Sequence, residues 1–235
     1  MSVPSHSANG HLYCINIIDD FLSFVWLLPL CSKADAGSTL RTWLTAIEVQ
    51  TAHCLRSFVT DNGELASSQI HQFCSERGIL HLLTALYTSA YNGRIEHLHR
   101  TLMDKACAMQ SVCHAPFDLW DELCGTAAHL TNLTRTSSNN GHTPYELWHG
   151  CKPSLSHLRE ISCQAFALIP THNSKLFPRS FPCTLIGYAL NSKAYRLWDR
   201  STNKVFNSFH VSFIESHEST ALPPSLPHPV FPPGP

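Results

Sequence analysis

Asp61 and Glu96 are the residues of this chain whose types and placing most suggest chemistry. Asp61 opens the stretch DNGE directly after the apolar run LRSFV and Thr60, which puts a carboxylate at the mouth of an expected strand. Glu96 falls early on an expected helix, after the next strand. Two-metal phosphoryl transfer needs several carboxylates converging on a pair of divalent cations about 3.5 to 4 Å apart, which bind the attacking and leaving oxygens. Residues placed in this way reach the rim where α/β sheets build their sites. Spacing alone supports this weakly. Asp-Asn-Gly is more often a turn than a ligand, and a helix glutamate is more often solvated.

The elements that must position these two carboxylates are legible in the apolar pattern. HLYCINII (11–18) and FVWLLPL (24–30) read as two strands of a hairpin turned by DDFLS. Leu40, Trp43, Leu44 and Ile47 recur at helical spacing within 34–52, and LRSFV (55–59) reads as a short buried strand. Ser67 and Ser68 suit the start of a helix carrying Ile70, Phe73 and Cys74, and Gly78 suits its end. ILHLL (79–83) is a further strand. A long helix is expected over 94–112 with Ile95, Leu98, Leu102, Ala106 and Met109 as its buried stripe, and another from Phe117 to Leu133. This order is that of an α/β domain with a parallel part.

Beyond TPYELWHGCKPS the character changes to short β-prone runs, CQAFALIP, CTLIGYAL, AYRLWDR and KVFNSFHVSFIE, expected to form a small antiparallel sheet or barrel. Residues 1–150 are therefore read as one domain, 151–217 as a small β-domain, and 218–235 as a Pro-rich disordered tail. Trp148 is expected to pack between the two domains.

Composition narrows the function. The 235 residues are 43% hydrophobic, enough for a sizeable core, and 16 Lys+Arg against 17 Asp+Glu leave a net charge of -1, without the basic excess of a strong nucleic-acid binder. The 16 His add positive charge only below about pH 6.5. Ten cysteines are scattered without Cys-x-x-Cys, which argues against a zinc ribbon and for reduced, mostly buried thiols. The polar SVPSHSANG start gives no secretory signal, and FVWLLPL is too short to span a bilayer. No membrane partner and an intracellular setting, the nucleus included, are expected.

Taken in order, YCINIIDDF, TDNGE, FCSERGILH, YT followed by NG, the glutamate four residues before RTL, TPYELWHGCKP and KAYRLWDRSTNKV resemble the integrase segment of copia-type retrotransposon Pol polyproteins from about residue 10 to 216. The resemblance implies an RNase H-like, retroviral integrase-type α/β core followed by an SH3-like β-domain. Asp61 matches the second metal-binding Asp and Glu96 the third acidic ligand, with Mg²⁺ or Mn²⁺ as the implied cofactor. Asn62, Asn92 and Arg100 are the implied nucleic-acid contacts, DNA the implied partner, and a homo-oligomer a further expectation.

The chain also departs from the family pattern. DNGE stands where relatives carry DNGGE, so the two ligands lie one residue closer. The first metal-binding Asp and the first strand correspond to sequence upstream of Met1, and no His/Cys zinc module precedes the core. The core as given is thus expected to lack its first strand and to leave two apolar sheet edges unpaired. Asp19 and Asp20 match acids without a ligand role and read as turn residues. HLHR follows the glutamate where relatives have a basic pair, so Arg100 stands alone. The expected function is that of an integrase-like fragment, inactive in DNA integration with two carboxylates of three. The alternative is a domesticated, non-catalytic module whose β-domain, with Lys175, Arg179, Lys193, Arg196, Arg200 and Lys204, binds nucleic acid or protein.

Overall fold

The computed structural model describes residues 6–60, 63–83, 89–169, 179–189 and 192–215. Strands β1 (Tyr13–Ile18) and β2 (Val25–Leu30) form the antiparallel hairpin, with Ile18 opposite Val25. Its turn is set by Asp19, whose carboxylate accepts hydrogen bonds from the backbone N–H groups of Phe21 and Leu22. Helix α1 (Ala36–Thr51) follows a single 3₁₀ turn in which Ser32 and Asp35 bond each other's backbone N–H side, a reciprocal capping box. Leu40 and Leu44 are its buried face.

Strands β3 (Ser57–Thr60) and β4 (Leu80–Leu83) pair in parallel around helix α2 (Ser68–Glu76), which buries Ile70 and Cys74 against α1. Ser67 is the N-cap of α2 but makes no side-chain capping bond, and Gly78, at a φ of +66°, turns the chain out of the helix. The two pairs remain two separate two-stranded sheets; among the described residues no strand joins β1 to β3.

Helix α3 (Ser89–Cys113) begins earlier than the apolar pattern predicts, and Ile95 is exposed rather than part of the buried stripe. Leu98, Leu102 and Ala106 are buried as expected. Helix α4 (Trp120–Asn132) is reached through a 3₁₀ turn over Phe117–Leu119 and packs on α3 and β2. Helix α5 (Pro144–His149) is an element the sequence reading did not assign: Thr143 Oγ1 accepts from the Glu146 N–H at 3.0 Å, Pro144 opens the helix and Gly150 closes it at a φ of +69°. Trp148 does not pack between the domains. It lies against Phe24 and Trp26 of the hairpin, with ring centroids 5.3 and 4.8 Å away.

The β-domain is a five-stranded antiparallel sheet ordered β8-β7-β6-β5-β9. Its strands are β5 (Gln164–Leu168), β6 (Ser180–Tyr188), β7 (Tyr195–Asp199), β8 (Lys204–Ser208) and β9 (Val211–Ile214). The β-prone run KVFNSFHVSFIE holds two strands, and β9 returns to pair with β5. Strand β6 is buried on both faces. Cys183 and Leu185 fill the interior of the β-domain, whereas Ile186 joins Leu119, Trp120, Leu123 and Cys124 in a cluster shared with the core. The expected tail lies outside the described residues.

Candidate active site

Strands β3 and β4 run parallel, so Thr60 and Leu83, which face each other in register, mark one rim of that small sheet. Asp61 and Asn62 follow Thr60 in sequence and lie outside the described residues. Thr60 is fixed by its neighbour across the sheet, its Oγ1 standing 2.7 Å from His81 Nε2. Asn92 falls on the first turn of α3, its side chain outside the described residues, and Glu96 follows one turn on.

Glu96 is exposed, and it makes no ion pair or hydrogen bond with any described residue. Two contacts that sequence reasoning missed fix its helix. Arg94 donates to the backbone oxygen of Asp20 at 2.6 Å, to its carboxylate, and to Ser23 Oγ at 2.8 Å, pinning the start of α3 to the hairpin turn. His99 Nδ1 meets Asn16 Nδ2 at 2.8 Å, tying the next turn to β1. Because the amide of Asn16 donates, Nδ1 is the accepting nitrogen, and burial pushes His99 below its ordinary pKa in the same neutral sense. Asn16 is the one polar residue of YCINII, and its partner on α3 is not announced by the local sequence.

These anchors leave Glu96 and Arg100 on one exposed face, four residues apart. Arg100 likewise has no partner among the described residues. Asp19 and Asp20 are not ligands in waiting: one holds the hairpin turn and the other holds Arg94. A hard divalent cation takes six or more oxygen donors, several of them carboxylate. The free carboxylate of Glu96 fits such a cation, but among the described residues no three His, Cys, Asp or Glu side chains gather into a complete site.

The basic residues of the β-domain prove to be divided. Arg196 bonds Glu122 of α4, and Arg200 donates to Thr184 Oγ1 at 2.9 Å and to the Cys113 carbonyl at 2.8 Å. Both are spent on holding the two parts together. Arg179, Lys193 and Lys204 are exposed, and Lys175 lies outside the described residues.

An α/β core with an acidic residue in the second turn of a long helix, joined to a small antiparallel β-domain, is the architecture of integrase-type proteins. Residues 2–89 match the Integrase core domain family and residues 163–225 the Retroviral polymerase SH3-like domain family. The chain belongs to the integrase region of retrotransposon Pol polyproteins. It is 33% identical over 217 residues to the Retrovirus-related Pol polyprotein from transposon TNT 1-94 of Nicotiana tabacum, covering 92% of this chain and 16% of that protein. It is 28% identical over 217 residues to the corresponding polyprotein from transposon RE1 of Arabidopsis thaliana, covering 92% and 15%. The chain therefore spans about a sixth of the length of these relatives. Among solved structures it is similar to the catalytic core domain of BIV integrase, with 21% identity and a TM-score of 0.43 over 62% of this chain and 90% of that one. Among the described residues no helix is long and apolar enough to cross a membrane.

Proposed function

We propose that this chain is an integrase-derived module that keeps the folded body and part of the ligand set of a DNA-joining enzyme, and that its own residues do not complete strand transfer. The observation that carries the proposal is the unpartnered Glu96 carboxylate on the same exposed face as Arg100. On this reading Asp61 and Glu96 hold Mg²⁺ or Mn²⁺, which when bound supplies Lewis-acid stabilisation to a phosphodiester oxygen. Arg100, with Asn62 and Asn92, contacts the DNA backbone, and Arg94 and His99 act only by positioning the helix. Two carboxylates leave one of a pair of cations short of ligands, and the acids of the hairpin cannot replace the third because both are engaged. A self-associating, DNA-bound state in a nuclear or other intracellular setting belongs to the same proposal.

The test is a Mg²⁺- or Mn²⁺-dependent strand-transfer assay on short duplex ends. The expected result is no product above that of the Asp61→Asn variant. Product that disappears on Asp61→Asn would overturn the claim of inactivity. Duplex binding by the whole chain should be weak and should fall steeply with salt, and Arg100→Ala should reduce the salt slope by about 1.

A further inference from the structure

A cavity of about 490 Å³ opens between α3, α4 and the segment that joins the core to the β-domain, more than two helical turns along α3 from Glu96. Met109, Leu130, Leu133, Leu155 and Leu158 make its wall apolar, and Lys105 is the one charged residue among the described residues that line it. The linker side of the cavity is held in place by the β-domain. Tyr188 Oη accepts from the Arg159 N–H at 2.9 Å and donates to the Arg159 carbonyl at 3.0 Å, while Tyr195 Oη donates to the His157 carbonyl at 3.1 Å. The wall is therefore formed before any ligand arrives, and it sits between helices at a domain junction, where small-molecule sites are commonly built.

Lys105 is half-buried, and its environment is unusual for a lysine. Nζ donates to Thr131 Oγ1 at 2.8 Å, and that hydroxyl spends its own proton on the Ala127 carbonyl at 2.7 Å. No carboxylate lies within ion-pair distance of Lys105 among the described residues. An ammonium group has three donors, so two remain for another acceptor. Burial with no compensating anion holds the Lys105 pKa below its ordinary value. An unpaired cation beside a preformed apolar wall is complementary to one negative charge on a hydrocarbon body. A multiply charged phosphate would find one cation and no other charged donor there.

We propose that this cavity binds a small monocarboxylate with an apolar body, a medium-chain fatty acid or an aromatic acid, with its carboxylate on Lys105 Nζ and its hydrocarbon against Met109, Leu130, Leu133, Leu155 and Leu158. The site is independent of Asp61 and Glu96, and its occupancy would join α3, α4 and the linker through one ligand.

Calorimetric titration of the whole chain with decanoate, 2-naphthoate and neutral decanol tests it. The expected result is saturable one-site binding of at least one of the two acids, and which acid binds tells the aliphatic class from the aromatic. Lys105→Met, which keeps an unbranched apolar stem, should weaken that binding at least tenfold and leave decanol unchanged. Leu158→Trp, which fills the cavity from the linker side, should abolish it, with the melting curves of both variants confirming that they fold. Absence of saturable binding of either acid to the unaltered chain would overturn the proposal. So would equal affinity for the acid in Lys105→Met, which would reduce the cavity to a non-specific apolar contact.

Discussion

Asn132, at the end of α4, uses its side-chain amide on a single residue of the outer hairpin strand. Its Oδ1 accepts from the Val25 N–H and its Nδ2 donates to the Val25 carbonyl, both at 2.8 Å and both buried. Edge strands leave such groups unpaired, and here a side chain closes the ladder. Asn132→Ala should cost about 2 to 4 kcal/mol, since both backbone groups lose their partner in a buried setting; chemical denaturation would read the loss directly. The thiols give a second prediction. Burial pushes Cys124 up to about 12 and Cys113, Cys163 and Cys183 up to about 11 from the usual 9.0. The folded state therefore favours the protonated thiols. The stability they contribute is fully present below pH 9, and it is lost as pH rises through the range of about 11 to 12, seen as alkaline unfolding by circular dichroism. At pH 8, iodoacetamide should modify the exposed Cys31, Cys54, Cys107 and Cys151 in the native chain and leave the other six until it is denatured. Scattered cysteines in apolar runs announced buried thiols, and the structure adds that four of the ten are exposed. Nothing in the sequence announced Asn132, because its partner lies more than 100 residues away and only tertiary packing pairs them.

Among the elements, α4 and β6 approach closely at one point. Thr126 Oγ1 donates to the Ile186 carbonyl at 2.8 Å, and a Cβ placed on Gly187 would fall well inside contact distance of that hydroxyl. Gly187 also sits where the β6–β7 register shifts. Gly187→Ala should destabilise the chain by about 1 to 3 kcal/mol, because a strand must back away from a packed helix. Adding Thr126→Ala should cost less than the sum of the two single changes, which a double-mutant cycle on melting curves would show. The same contact explains a sequence feature. CTLIGYAL lacks the alternation of a one-sided strand because β6 faces the β-domain interior on one side and α4 on the other. Helices α1 and α2 and strands β1 to β4 were legible from turn residues and apolar spacing, whereas α5 was unassigned although Thr143, Pro144 and Gly150 mark its ends. The division of KVFNSFHVSFIE into β8 and β9 was not legible, since Phe209 and His210 carry no Gly or Pro to mark a turn. The placing of Trp148 was missed for a different reason: an apolar residue near a domain boundary can pack to either side, and here Phe24 and Trp26 offered an aromatic wall.

At the scale of the whole molecule, the β-domain is part of the core. Ile186 and Trp198 lie in the same buried cluster as Leu119 and Leu123, and Arg196 and Arg200 reinforce the seam. Excising the β-domain would expose that cluster, so DNA binding has to be measured on the whole chain. The face of the small parallel sheet tells the opposite story. Val59, Leu80 and Leu82 alternate with residues turned toward α2 and remain exposed, a patch that favours association. Leu80→Glu with Leu82→Lys should raise the concentration at which light scattering detects aggregates without lowering the melting temperature. The site is legible to the extent that local sequence defines it. Glu96 stands on the helix and face assigned to it, while the anchors Arg94 and Asn16 emerge only from the packing of α3 on the hairpin. On the proposed function, Asp61 and Glu96 form an incomplete carboxylate set. The most direct measurement is Mn²⁺ binding followed by water-proton relaxation, on the unaltered chain and on the Asp61→Asn and Glu96→Gln variants. The expected result is weak binding of one ion, lost in either variant. Tight binding of two ions, or binding indifferent to both substitutions, would contradict it.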